Sequence, residues 1–215
     1  MITCNNTPRV VKQNLRLGEK VLKEFKQEYP YLKSNSMINT RMYRFQTNMQ
    51  EIAKRDGIER FTEVNQKWQD VAPLLKGKSA LTGFNIYNMR NNSASANNQL
   101  EYFTKYMKRH RTANCRECSY VIYDKLKQMG QEPQNVKLNI FDKTTNQVDN
   151  HAFTVIGLDK NADITNPHTW GKNSVIVDAW CNIVKKSQDG IEYMKNLFSA
   201  GKDTKQFDLV KYSHL

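Results

Sequence analysis

No run in this 215-residue sequence is apolar for long enough to span a bilayer, and the mean hydropathy of −0.75 agrees with that. A transmembrane helix is therefore not expected. The opening residues Met1-Ile2-Thr3-Cys4-Asn5-Asn6-Thr7-Pro8 lack a basic flank followed by an apolar stretch, so no secretory signal peptide is expected either. Cysteine is scarce: four residues are too few for a disulfide scaffold, and free thiols in a cytosolic compartment are the expectation. Internal repeats, low-complexity tracts, nucleic-acid-binding motifs and polybasic runs are also missing. Acidic residues are in deficit, 21 Asp and Glu against 33 Lys and Arg, a net charge of +12. What remains, 39% hydrophobic and 10% aromatic residues, is enough for a packed interior and excludes wholesale disorder.

The positive excess is concentrated. Residues 1–111 carry 20 Lys/Arg and 9 Asp/Glu, whereas residues 112–215 carry 13 and 12. The first half reads as helical: Val11, Leu15, Val21, Leu22 and Phe25 recur at helical spacing, as do Met42, Phe45, Met49, Ile52 and Ala53. Pro30 and Pro73 punctuate it, and Gly77 to Gly83 reads as a loop. Asn91 to Ser95 can cap a further helix with Leu100, Phe103 and Met107 as its stripe. Beyond residue 112 a helix from Cys115 should bury Cys118, Val121, Ile122 and Leu126 and end near Gly130. Strand-like runs follow at Val136–Phe141, Ala152–Leu158, Val175–Ala179 and Phe207–Val210. Helices followed by consecutive strands predict an α+β fold with an antiparallel sheet. The expected division is a basic helical region over 1–90 and an α+β core over 91–215, either separate or continuous.

Cys115 heads the predicted helix within Asn114-Cys115-Arg116-Glu117-Cys118. A thiol there meets unpaired backbone N–H groups and the positive end of the helix dipole, both of which favour thiolate. The run Lys108-Arg109-His110-Arg111 adds to that field. His151 opens the apolar run Ala152-Phe153-Thr154-Val155-Ile156, and Asp178 closes Val175-Ile176-Val177. A nucleophile at a helix start, with a base and an orienting acid on strands, is the equipment of thiol-dependent acyl transfer.

These pieces, Asn114-Cys115-x-Glu117, Asn150-His151-Ala152-Phe153 and Val177-Asp178-Ala179-Trp180, resemble the Cys-His-Asp segments of papain-like and transglutaminase-like thiol enzymes. The likeness is nearest to effectors that bacterial pathogens inject into host cells, which act as cysteine proteases, glutamine deamidases or transglutaminases on host proteins. It covers roughly the second half of the chain and implies a papain-like core. By this resemblance Cys115 is the nucleophile, His151 the general base and then acid, and Asp178 its orienting partner. The Cys115 N–H would supply one oxyanion donor. A second donor is unassigned, for Gln99, beside Asn97 and Asn98, lies sixteen residues upstream. Glu117 is read as an anchor of the first helical turn. No cofactor and no metal are implied. The implied location is the bacterial cytoplasm before secretion and the host cytosol after it.

Other readings weigh against this one. Most cysteines are core thiols, but polar Asn114, Arg116 and Glu117 flank Cys115, whereas Cys118 falls on the apolar side with Val121 and Ile122. A lone histidine is commonly structural; His110, His168 and His214 have no comparable setting. Asp178 would need a partner if buried, and a lysine or arginine would serve as well as a histidine. Trp170 and Trp180 are read as core. A Cys115-x-x-Cys118 redox pair would want a strand immediately before it, and the preceding residues read as helix and basic loop. The stronger rival is a zinc site of Cys115, Cys118, His151 and Cys181 in a non-catalytic binding module that docks through its basic surface. The charge itself favours an acidic host protein as partner, with an anionic membrane surface as a second candidate and nucleic acid disfavoured.

Overall fold

A computed structural model describes residues 7–30, 99–199 and 204–212, together with positions 32, 34, 76–78, 81–82 and 87. The second predicted stripe, Met42 to Ala53, and the cap at 91–95 lie outside the described residues. Residues 77–78 and 81–82, expected in a loop, are helical.

The chain divides into two compact units, Met1–Glu28 with Cys115–Leu215, and Tyr29–Asn114. The expected boundary near residue 90 does not follow this division. The reason is the first helix, α1 (Thr7–Glu28), whose contacts are with the second half of the chain. Val11, Asn14, Gly18, Val21, Leu22 and Phe25 form a continuous buried stripe at three-to-four-residue spacing, with Leu15 half-buried beside it. Gly18 sits where α1 comes closest to the sheet: a Cβ there would lie 2.8 Å from Val184 Cγ1 and 2.9 Å from Val177 Cγ2. At the helix end, Glu28 pairs with Lys125 at 2.7 Å.

In the Tyr29–Asn114 unit, α2 (Gln99–His110) buries Phe103 and Met107 from the predicted stripe. Its outer side stacks Tyr106 on His110, ring centroids 4.0 Å apart.

The remainder of the first unit begins with α3 (Cys115–Gln128), and Cys118, Val121, Ile122 and Leu126 are all buried as their spacing predicts. Its exit is a Schellman turn. The N–H of Gln131 bonds the Leu126 carbonyl at 3.1 Å and that of Gly130 the Lys127 carbonyl at 3.0 Å. Gly130 takes the left-handed φ of 75° that this closure requires. Four strands follow, β1 (Gln134–Asp142), β2 (Gln147–Ile156), β3 (Val175–Asp178) and β4 (Ile183–Lys186). Then come α4 (Ser187–Ser199) and β5 (Lys205–Lys211). The sheet runs β4-β3-β2-β1-β5 and every neighbouring pair is antiparallel, so the fold is α+β. β4 and α4 were not anticipated. β2 begins five residues before the predicted run, so His151 lies inside a strand rather than at its opening.

Alternation along β2 sends His151, Phe153 and Val155 to one face and Thr154 to the other. On the first face Phe153, Val155 and Ile176 join Leu138, Ile183, Ile191, Met194 and Trp170 in the main apolar cluster, capped by α4. On the second, the Thr154 hydroxyl lies 3.1 Å from the Ser119 carbonyl of α3 and 2.7 Å from Asn135 Oδ1. The sheet is thus covered by α1 and α3 on one face and by α4 on the other.

Candidate active site

Three elements of the first unit deliver the candidate side chains. Cys115 is the first residue of α3, and the first amides of a helix have no intrahelical carbonyl to bond. It is half-buried, whereas Cys118, one turn further along the apolar side, is buried. Glu117, expected as an anchor of the first turn, is completely buried there. His151 and Asp178 come from β2 and β3, and each is only 2% exposed. Val177 pairs with Thr154, so the next residue, Asp178, stands opposite Phe153 and shares the His151 face, diagonal to it. The β2–β3 ladder stops at Thr154, leaving the edge of β2 beside His151 free of β3.

Asp178 Oδ2 lies 2.6 Å from His151 Nε2. Its other oxygen, Oδ1, accepts the backbone N–H groups of Trp180 and Cys181, both at 2.9 Å. These bonds arise from the β3–β4 hairpin, in which residues 179–182 turn the chain and Asn182 takes a left-handed φ of 59°. Asparagine tolerates that conformation, and an aspartate at the head of a turn readily accepts the following amides. The carboxylate is therefore fixed through Oδ1 by local chain geometry, which leaves Oδ2 turned to the imidazole.

The electrostatics of the pair are decided by proximity. Burial alone would push the Asp178 carboxyl up, but the His151 charge and hydrogen bond, together with the Cys181 N–H, hold it below its usual range. Burial would likewise depress the imidazole; the facing carboxylate outweighs this and raises His151 well above its ordinary value, helped by hydrogen bonds to the Cys115 and Cys181 thiols. The imidazolium–carboxylate form is favoured in the interior because each charge replaces the other's lost water. Cys118 is pushed far up, first by burial and then by the Glu117 charge. Burial, then Asp178, raises Cys181 to about 12.

Sequence reasoning named Cys115, His151 and Asp178, of which the fold joins His151 and Asp178 directly, with the Cys181 thiol 3.5 Å from the same ring nitrogen. It passed over the walls of the site. Trp180, expected in the core, is half-buried and tilts against the His151 ring at 5.2 Å between centroids. Phe198 of α4 packs at 5.0 Å from the same ring and stacks against Trp180 at 6.3 Å. Trp170, by contrast, is true core and donates its indole N–H to the Asp163 carbonyl. Phe198 carried no sequence signal because α4 itself was not foreseen. Among the described residues, the group of metal-type ligands that converges is His151, Asp178 and Cys181, with ligand atoms all within 4.8 Å of one another. It shares His151 and Cys181 with the rival zinc set but replaces the two helix cysteines by the aspartate. No described helix is long and apolar enough to cross a membrane.

Compared with protein families, curated proteins and solved structures, the chain matches none.

Proposed function

We propose that the chain is a thiol-dependent acyl-transfer enzyme with Cys115 as nucleophile, His151 as general base and acid, and Asp178 as its orienting partner, on a papain-like core. The observation that carries this reading is a buried imidazole paired with a buried carboxylate, with a half-buried thiol at the head of the helix packed on the same strand. Nε2 is taken by Asp178, which leaves Nδ1 as the ring nitrogen for the Cys115 proton. Of the three, Cys115 is the group with solvent access, as the partner of an incoming substrate must be.

The chemistry follows from these roles. The thiol proton passes to His151 before attack, which completes the imidazolium facing Asp178, and the Cys115 sulfur then bonds as a thiolate to an amide carbonyl carbon. The carbonyl electron pair moves onto oxygen, where the free N–H at the start of α3 offers a donor. On collapse the C–N bond breaks, and His151 returns the proton to the departing nitrogen. The thioester is then resolved by water, as in a protease or deamidase, or by an amine, as in a transglutaminase. Trp180 and Phe198 keep water off the ion pair, which preserves its strength. An acidic host protein is the substrate that the positive excess favours.

Cys115→Ala should lower amide turnover by roughly 10⁴-fold or more while leaving the circular dichroism spectrum and melting unchanged. Iodoacetamide should label Cys115 before the buried Cys118. Ammonia release, new amino termini and amine incorporation, followed in parallel on an acidic protein, separate the three outcomes. Full activity in Cys115→Ala, or labelling of Cys118 with Cys115 spared, removes the proposal.

A further inference from the structure

The geometry points to an inhibitory zinc site built from His151 Nε2, Asp178 Oδ2 and the Cys181 thiolate, at the ring nitrogen that faces Asp178. Cys181 Sγ lies 3.5 Å from Nε2, and the carboxylate oxygen completes a buried cluster within 4.8 Å. Ligand atoms held tetrahedrally at zinc's usual bond lengths of about 2.0–2.3 Å sit roughly 3.3–3.7 Å apart. The sulfur–nitrogen separation already falls in that range. Oδ2, at 2.6 Å from Nε2, must retreat by under an ångström, and its partner oxygen stays anchored by the Trp180 and Cys181 amides. One nitrogen, one carboxylate and one thiolate form a ligand set natural to zinc, with a fourth position left for water. The cluster is also screened by Trp180 and Phe198, so a bound ion would be shielded from competing solvent.

Binding is written with its protons. The ion bonds the sulfur in place of the thiol proton and Nε2 in place of the proton shared with Asp178, while Nδ1 keeps its own. Two protons leave for each ion bound to the imidazolium form, and nothing is oxidised or reduced. Once metallated, His151 can no longer lean on Asp178 and cannot cycle a proton, so acyl transfer stops. Metal binding itself is independent of the proposed activity; the inhibition rests on it.

The test titrates zinc chloride into the full-length chain by calorimetry, counts bound metal after dialysis, and repeats the titration with cobalt(II). About one zinc per chain is expected, with a thiolate-to-cobalt charge-transfer band. Cys181→Ser should weaken zinc binding by roughly 100-fold or more, beyond the loss expected for an outer-shell partner. Cys115→Ala and Cys118→Ser should bind within a few-fold of the unaltered chain. Equal binding by Cys181→Ser overturns the site. So does loss of binding in Cys115→Ala with Cys181→Ser unaffected, which would place the ion at the nucleophile. If Cys181→Ser does not fold, the unaltered chain still decides, because a cobalt spectrum without the thiolate band excludes sulfur ligation. Because Cys115→Ala is read by binding alone, failure of the acyl-transfer reading shows up in its turnover and failure of the metal site in its titration.

Discussion

At the scale of single residues, the imidazolium–carboxylate pair makes stability depend on pH in a direction that can be worked out. His151 is raised above its unfolded value, so its contribution is complete below about pH 6.5 and disappears as pH climbs through the raised value. Asp178 is lowered, so its share is present above about pH 4 and is lost as pH falls through the depressed value. Between those limits both contributions hold. Urea midpoints should be highest there and decline on the alkaline side, and Asp178→Asn should flatten that decline; an unchanged profile in the variant would show that the pair does not set it. The same substitution preserves an acceptor for the two hairpin amides but removes the charge, and should cost roughly 10⁴-fold in turnover, with a fallen His151 titration midpoint by NMR. Asp178 was legible in the sequence because a lone acid ending Val175-Ile176-Val177 has few reasons to be buried without a partner. Cys181 was seen only as a zinc candidate: its proximity to His151 depends on a hairpin that no local pattern announced.

At the scale of elements, the same periodicities that exposed the fold also show where reading stopped. α1, α3 and the central strands have stripes or alternation strong enough to stand alone. β4 is four residues long with a half-polar pattern, and α4 opens on Ser187-Gln188-Asp189-Gly190, which reads as a turn. Both are held by the sheet and the core beneath them rather than by propensity. Two glycines test the packing differently. Gly18→Ala gains helix propensity but drives a methyl into Val184 and Val177; the net expectation is destabilisation of about 1 kcal/mol by urea unfolding. Val184→Ala in the same chain should recover most of that loss, since the two side chains compete for one space. Gly130→Ala meets no neighbour within 4 Å, so its loss of about 1 kcal/mol comes from the left-handed backbone alone and should not respond to Val184.

At the scale of the whole molecule, the charge sorts by unit: Tyr29–Asn114 holds 14 Lys/Arg against 6 Asp/Glu, while the unit bearing the candidate triad is closer to balance at 19 against 15. The acidic partner proposed for this chain is therefore expected to read the former. Raising ionic strength should weaken that association while leaving turnover of a small neutral amide unchanged. The division also predicts that a chain starting at residue 29 will not melt cooperatively, because it lacks the Val21 and Phe25 that α1 buries against the unit completed after residue 115. Calorimetry on that truncation checks this directly.

The same discontinuity has a temporal side. α1 leaves the ribosome well before its docking surface on β3 and β4, which is not complete until residue 186. At translation speeds of 5–20 residues per second, the helix waits roughly 8–30 s with its greasy stripe uncovered. During that interval the uncovered stripe is a target for a holding chaperone, and the acyl-transfer activity proposed above cannot yet assemble.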